Sequence, residues 1–209
     1  MKRFKTTGLC NPKKQYMVDI KDKLEKVKAL IKNEEYFIIN RPRQYGKSTL
    51  LFALKKELSK RYVVISISFE GIGDESFKNA EFFSEVFIEL ILKSLNNTNK
   101  EEKEKFKVLL QKKICNFVEL SKIITEFISS LNKEVVLIID EVDKSSSNQV
   151  FLNFLGMLRN KYLDREAEAD VTFKSVILAG VYDVKNLKLK IRPDEEKKYN
   201  SPWNIAVPF

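Results

Sequence analysis

The chain has 209 residues, of which 44% are hydrophobic and 32% are charged; this balance is typical of one folded domain and excludes a mainly disordered chain. It contains no histidine and only two cysteines, so we expect neither a zinc site nor a disulfide scaffold, and proton abstraction near neutral pH must fall to a carboxylate, Lys, Tyr or Cys. No apolar run reaches the roughly 20 residues of a membrane span, and no signal peptide opens the sequence, which predicts a cytoplasmic protein without a membrane partner.

The net charge of +9 comes mainly from lysines scattered among glutamates. Residues 100–113 show this mixture and are typical of the solvent-facing side of a helix. A basic domain of this kind can bind nucleic acid without sequence preference. No basic motif interleaved with aromatic residues indicates a groove or strand reader, so nucleic acid is a partner that only the charge supports.

An irregular lead-in segment, residues 1–19, precedes the first predicted helix. Apolar residues then recur at a helical period over residues 20–33, with lysines on the other face. Residues 36–39 form a short apolar run, which predicts a buried strand. After a loop that ends in Gly46, a second helix begins around Lys47 and carries leucines inward.

The loop between this strand and this helix, residues 41–46 (the phosphate loop), is typical of a phosphate-binding site. The first amides of a helix are unpaired and carry the positive end of its dipole, so they bind a polyphosphate when a loop aims them inward. Gly46 lets the backbone approach, Lys47 reaches the terminal phosphates, and the Ser48 hydroxyl is placed to hold a Mg²⁺. An ordinary turn before a helix is the alternative interpretation.

The phosphate loop departs from the usual pattern at its first position, where Arg41 stands in place of a glycine. Pro42 fixes its own φ and biases Arg41 toward an extended conformation. This rigidity is expected to substitute for the missing glycine.

The middle of the chain alternates between strand and helix patterns. A β-branched run predicts a second strand, and three further segments show helical spacing of apolar residues, the second of them rich in lysine. In chain order, we expect a strand at residues 62–69 and helices at residues 80–95, 100–113 and 117–131.

An apolar run at residues 135–139 predicts a central strand of a parallel sheet, and Asp140 and Glu141 follow it directly. The carboxyl end of such a strand is where doubly wound folds place their chemistry. Asp140 would hold Mg²⁺ through its water shell, and Glu141 would take a proton from an attacking water. In the alternative interpretation, these two carboxylates only cap the next helix.

Two strands and a helix are predicted for the remainder. Serines within residues 144–148 are expected to cap a helix at residues 149–163, and strands are expected at residues 174–180 and 204–207. A residue that senses the terminal phosphate is expected after residue 180, where a plain turn is the alternative interpretation. The candidates for this sensor are Tyr182, Asp183 and Asn186.

This alternation of elements predicts a three-layer α/β fold, with a mostly parallel central sheet of about five strands and helices on both faces. The acidic strand should be separated from the strand before the phosphate loop by another strand. The length fits a single domain, residues 1–209, with a lead-in segment and helix at residues 1–35 and a nucleotide-binding core at residues 36–209.

Four segments together resemble the bacterial AAA-ATPase-like family: residues 41–48, 139–144, 178–184 and 201–206. The resemblance covers nearly the whole chain, from residue 7 onward. It implies a P-loop NTPase fold that binds ATP and Mg²⁺ and hydrolyses ATP. Members of this family commonly have Arg-Pro-Arg at the start of the phosphate loop, which accounts for Arg41.

The resemblance also implies roles for individual residues. Lys47 would contact the β- and γ-phosphates and act with Glu141 in catalysis, while Ser48 and Asp140 would surround Mg²⁺. Three lead-in residues match the position at which relatives are expected to pack the nucleotide base: Tyr16, Met17 and Val18. The alternative interpretation is that they pack in the core. The residues expected to hold the nucleotide are Arg43, Gln44, Tyr45, Gly46, Lys47, Ser48 and Thr49.

The resemblance further implies partners. Arginine fingers of such enzymes often come from an adjacent subunit or domain, so a homo-oligomer or a partner domain is expected. Family members are usually longer, with a helical lid and often a nuclease-like domain of the PD-(D/E)xK type, and this chain is expected to lack both. The arginines considered as fingers are Arg43, Arg159, Arg165 and Arg192.

Two functions other than ATP hydrolysis stay open at this stage. One is a nucleotide-binding switch or interaction module that binds ATP with little or no hydrolysis. The other is a basic nucleic-acid-binding domain, which rests on the net charge alone.

Overall fold

The computed structural model describes residues 14–16, 19–42, 45–95, 100–110, 114–145, 148–181 and 207–208. Its centre is a sheet of five strands that all run parallel. In chain order the strands are β1 (Phe37–Asn40), β2 (Val63–Ser68), β3 (Val135–Asp140), β4 (Ser175–Gly180) and β5 (Val207–Pro208). The predicted α/β fold with a central parallel sheet is confirmed.

The order of the strands across the sheet is β2-β3-β4-β1-β5. The acidic strand β3 is therefore separated from β1 by β4, which confirms the expected spacing. Because the strands are parallel, their carboxyl ends lie at one edge of the sheet. This carboxyl edge is formed by Asn40, Ser68, Asp140 and Gly180.

Six α-helices flank the sheet in the described part of the chain. Two short 3₁₀ helices, Asp74–Phe77 and Val142–Ser145, follow β2 and β3. Every described helix is too short or too polar to cross a bilayer. The helices are α1 (Lys21–Lys32), α2 (Lys47–Leu58), α3 (Ala80–Leu95), α4 (Lys100–Leu109), α5 (Phe117–Ser129) and α6 (Gln149–Glu166).

The start of α6 differs from the sequence-based expectation. The cap is Asn148, whose side-chain oxygen accepts a hydrogen bond of 2.8 Å from the Val150 amide. The expected serine cap is wrong. Asn148 directly precedes the first turn of α6, and its side chain reaches an unpaired amide of that turn. Since Glu141 is followed by a 3₁₀ helix and α6 begins only at Gln149, the acidic pair does not cap an α-helix.

The helices form two layers with separate apolar cores. In one layer, α1 and α2 pack Val27 and Leu54 against Ile39 of β1. In the other, α3 to α6 pack residues such as Phe83 against Ile38 of the same strand. Successive side chains of a strand point to opposite faces, which is why neighbours in β1 belong to different cores. The buried sheet holds the carboxyl edge rigid from both sides.

Arg165, near the end of α6, joins the segments that lead into β1 and β4. Its guanidinium donates hydrogen bonds to the carbonyl oxygens of Phe173 at 2.8 Å, Lys174 at 3.0 Å and Glu34 at 2.9 Å. These segments enter the sheet at the edge opposite the carboxyl edge. Arg165 is thus a structural residue in this chain, and its role as an arginine finger stays a prediction.

We expect the substitution Arg165→Met to lower the free energy of unfolding by about 2–4 kcal/mol, because it removes hydrogen bonds to three part-buried carbonyl oxygens. Urea denaturation followed by circular dichroism measures this change. The control is Lys93→Met, which removes the same charge from an exposed position in α3. Equal stability of the two variants would contradict the structural role of Arg165.

Candidate nucleotide-binding site

The phosphate loop leads from β1 into α2 through a turn that requires glycine. Gly46 has a φ of 77°, in the left-handed region, and its carbonyl oxygen accepts the first helical hydrogen bond from the Leu50 amide at 2.9 Å. At the start of the loop, the Arg41 amide donates to the Gly180 carbonyl oxygen at 3.1 Å. Arg41 therefore continues the pairing of β1 with β4, which fixes the first loop position without a glycine.

The first turn of α2 has features of an anion-binding site. Gly46 at the cap position has no side chain that bonds the first amides of the helix. Ser48 is exposed in this turn, and its hydroxyl makes no hydrogen bond to another described residue. Thr49 is half-buried beside it, and Tyr45 is 71% exposed.

Lys47 joins the phosphate loop to the acidic strand. Its Nζ atom lies 2.7 Å from Glu141 Oε1 and 3.0 Å from Asp140 Oδ1. The lysine is 9% exposed, whereas the two carboxylates are 20% and 27% exposed. A lysine in α2 and two carboxylates at the end of β3 thus meet across the carboxyl edge, although 93 residues separate Lys47 from Asp140 in the sequence.

The ion pairs keep Lys47 charged. Burial would lower the pKa of Lys47, but the hydrogen bonds to Glu141 and Asp140 outweigh burial and raise this pKa above the 10.5 of an ordinary lysine. The stabilisation that the lysine contributes is therefore complete below pH 10.5 and is lost only as the pH rises through the raised pKa. A change of pH in the neutral range does not open the ion pairs.

Glu141 has a strained backbone. Its φ is 58°, in the left-handed region that non-glycine residues seldom adopt. The Glu141 amide donates a hydrogen bond of 2.8 Å to Asp140 Oδ1, and the side chain holds Lys47. Strain of this type costs about 1–3 kcal/mol and is concentrated at functional sites.

Asp143 is a site residue that the sequence analysis does not single out. Both of its carboxylate oxygens accept hydrogen bonds from the Val181 amide, at 2.7 and 2.8 Å. A Cβ added at Gly180 would overlap Asp143 Oδ1, so the glycine makes room for this carboxylate. Asp143 therefore ties the turn after β3 to the end of β4. The sequence alone does not indicate that Asp143 approaches Gly180. This contact becomes predictable only when the order of the strands is known.

Several of the expected site residues are not tested by these contacts. Arg43, Gln44, Met17 and Val18 lie outside the described residues, as do the sensor candidates Tyr182, Asp183 and Asn186 and the finger candidate Arg192. Tyr16 is described and is 53% exposed. Arg159 lies half-buried in α6.

The carboxyl edge and the first turn of α2 carry oxygen atoms of the type that Mg²⁺ prefers. No group of three or more His, Cys, Asp or Glu side chains close enough to hold a metal occurs among the described residues. A Mg²⁺ typically needs only one or two carboxylates when phosphate oxygens and water complete its octahedron. Asp140 and the Ser48 hydroxyl are therefore a chemically adequate set of protein ligands for Mg²⁺ together with phosphates.

The strand, phosphate loop, helix and remote acidic strand define the class of this protein: it has a P-loop NTPase-like α/β fold. Residues 12–192 match the family described as "AAA-like domain". The chain belongs to this AAA-like family of P-loop ATPases, and the family resemblance noted in the sequence is confirmed.

One solved structure supports the same fold. The chain is similar to the Walker-type ATPase paby2304 of Pyrococcus abyssi, with 18% identity and a TM-score of 0.53, over 79% of this chain and 45% of that chain. It is also similar to Drosophila ORC bound to AT-rich DNA and Cdc6 (12% identity, TM-score 0.48, 90% of this chain and 52% of that chain). A further structure, Drosophila ORC bound to DNA, has 13% identity and a TM-score of 0.47, over 90% and 86% of the two chains.

At such identities the similarity shows the fold alone. The chain spans less than half the length of the Pyrococcus abyssi protein. A comparison with curated proteins found no match.

We expect Gly180→Ala to lower the free energy of unfolding by about 1–3 kcal/mol, because the added methyl group displaces Asp143. The control is Gly156→Ala in α6, where an added Cβ meets no atom within 4 Å. This control should be neutral or should stabilise the helix by up to about 1 kcal/mol. Thermal denaturation of both variants measures the difference, and similar stabilities would show that Asp143 does not approach Gly180 closely.

Proposed function

We propose that this domain binds Mg-ATP at the carboxyl edge and hydrolyses the bond between its β- and γ-phosphates. The observation that carries the proposal is the convergence of Lys47 with Asp140 and Glu141. A cation in the first turn of a helix and carboxylates two strands away are the parts that phosphoryl transfer by this class of protein uses. The AAA-like family membership supports the same activity.

Lys47 has to change partners when a triphosphate binds. Before binding, its charge is neutralised by two carboxylates at 2.7 and 3.0 Å. The phosphates bring more negative charge to the first turn of α2, where the helix amides also attract them. Lys47 then moves from the carboxylates to the β- and γ-phosphates, which leaves Asp140 and Glu141 free for other ligands.

The two released carboxylates have different tasks. Glu141 orients a water molecule and accepts its proton as the water attacks the γ-phosphate. Asp140, with the Ser48 hydroxyl, would hold a Mg²⁺, which would neutralise charge on the phosphate oxygens. The hydrogen bond from the Glu141 amide to Asp140 keeps both carboxylates in register at the end of β3.

The rest of the binding site comes from the phosphate loop and the start of α2. Arg43, Gln44, Tyr45 and Gly46 enclose the phosphates, and Thr49 supports the loop from the first turn. Residues 1–209 act as one nucleotide-binding domain, with residues 1–35 as its lead-in segment and helix. A second copy or a partner domain supplies an arginine finger, while Arg165 of this chain is engaged in hydrogen bonds to three carbonyl oxygens.

A nucleotide-binding switch without turnover is the alternative. The ion pairs of Lys47 favour it in one respect, because they give the nucleotide-free site a stable arrangement that the nucleotide must replace. Both functions require ATP binding, and only hydrolysis requires Glu141. Variants of Glu141 therefore separate the two, whereas variants of Lys47 test nucleotide binding itself.

We expect Glu141→Gln to leave Mg-ATP binding within about twofold of the wild type and to reduce phosphate release by at least about 100-fold, since the amide cannot accept the proton. The measurements are calorimetric titration with Mg-ATP and a phosphate-release assay at several protein concentrations. The matched control, Glu89→Gln, changes an exposed glutamate in α3. Unchanged phosphate release by Glu141→Gln would remove this residue from the mechanism; binding without release by the wild type would favour the switch.

We expect Lys47→Ala to weaken Mg-ATP binding by roughly 10- to 100-fold, which is the loss of one strong charge-assisted contact. The control is Lys55→Ala, which removes a lysine two turns later in the same helix. Calorimetric titration with Mg-ATP, Mg-GTP and a non-hydrolysable ATP analogue gives the affinities and the base preference. Equal affinities of the two variants would place the nucleotide elsewhere.

A further inference from the structure

The charges of this protein are divided between its two helical layers. Residues 19–61, which contain α1, β1 and α2, carry 12 Lys and Arg but only 6 Asp and Glu. Residues 62–170, which contain α3 to α6, carry 14 Lys and Arg and 19 Asp and Glu. Residues 19–61 are therefore net positive, whereas residues 62–170 are net negative.

Five lysines of the layer formed by α1 and α2 form no ion pair with a described residue, whereas Lys21, Lys28, Lys47 and Lys60 pair with carboxylates. Lys23, Lys26 and Lys32 of α1 and Lys56 of α2 are exposed, and Lys55 is half-buried. None of these five forms an ion pair with another described residue. The unpaired lysines are available for an external anion.

The two helices that carry these lysines lie side by side. Val27 and Ile31 of α1 share an apolar core with Leu54 and Leu58 of α2, so the helices pack side by side. Lys28 of α1 also interacts electrostatically with Glu57 of α2. A 12-residue helix is about 18 Å long, and packed helices are about 8–10 Å apart. The surface is thus wide enough to meet several phosphates of a polyanion.

We propose that this basic surface, formed by Lys23, Lys26, Lys32, Lys55 and Lys56, binds the phosphate backbone of duplex nucleic acid without sequence preference. Lysines on a rigid helical layer neutralise phosphates and release counterions, which is the dominant source of non-specific affinity. The proposal goes beyond ATP binding, because none of the five lysines belongs to the nucleotide site.

The scarcity of exposed apolar side chains on this surface favours duplex nucleic acid over a single strand or a membrane surface. Among the described residues of α1 and α2, Phe52 is the one large apolar side chain that is exposed. Single-strand binding relies on several aromatic side chains on which bases stack. Binding at a membrane surface relies on a row of apolar side chains that enter the lipid. A flat surface with lysines and a single phenylalanine fits neither.

The test compares two variants of the full chain that each lose four charges. In the first, lysines of the basic surface are replaced: Lys23→Gln, Lys26→Gln, Lys55→Gln and Lys56→Gln. In the control, exposed lysines of the other layer are replaced: Lys78→Gln, Lys93→Gln, Lys122→Gln and Lys133→Gln. Affinity for a fluorescent 20-base-pair DNA duplex is measured by anisotropy from about 50 to 200 mM salt, the range over which such contacts weaken strongly.

We expect the wild type to show a log–log salt slope of about −4, as four to five phosphate contacts give. The surface variant should lose at least tenfold in affinity at the lowest salt and most of this slope, and the control variant should stay within twofold. Two half variants, Lys23→Gln with Lys26→Gln and Lys55→Gln with Lys56→Gln, should each show part of the loss. Their Mg-ATP affinity, measured in parallel, should not change, which separates this proposal from that of ATP hydrolysis.

Three results would overturn the proposal. One is the absence of duplex binding by the wild type at the lowest salt. Another is an equal loss in the surface and control variants, which would show that net charge alone and not this surface binds DNA. The third is tighter binding to a single strand of the same sequence, or to vesicles of phosphatidylserine and phosphatidylcholine, than to the duplex.

Discussion

The ion pairs of Lys47 with Asp140 and Glu141 depend on the whole sheet. Lys47 lies after β1, and the two carboxylates lie at the end of β3. The strand β4 lies between β1 and β3, and its pairing with both strands fixes the distance between the two strand ends. The two apolar layers bury this sheet from both faces and hold the strand ends in place. The site is therefore a consequence of strand order, and the buried core stabilises the geometry that the chemistry needs.

The sequence predicts most of the fold and the centre of the site, since these depend on local patterns. Apolar periodicity locates the six described helices, and β-branched runs locate the buried strands. Gly46 is recognisable because the turn into α2 needs a left-handed φ. The acidic pair is recognisable because it directly follows an apolar strand. Strand order then brings Lys47 to these carboxylates, which makes their long-range meeting predictable as well.

The contacts that sequence patterns miss join segments that have no common motif. Asp143 is distinguished from its acidic neighbours only by its approach to Gly180, which depends on the distance between two strand ends. Arg165 resembles any arginine in an amphipathic helix, yet it bonds three carbonyl groups from two other segments. Each of these outcomes is set by tertiary distances.

The most direct test of the account is a crystal structure of the full chain with Mg²⁺ and a non-hydrolysable ATP analogue. The account predicts that the triphosphate lies at the start of α2, that Lys47 Nζ has left both carboxylates for the β- and γ-phosphates, and that Asp140 and Glu141 face the metal ion and the attacking water. An analogue bound away from this edge, or a triphosphate in place while Lys47 still pairs with Glu141, would contradict it.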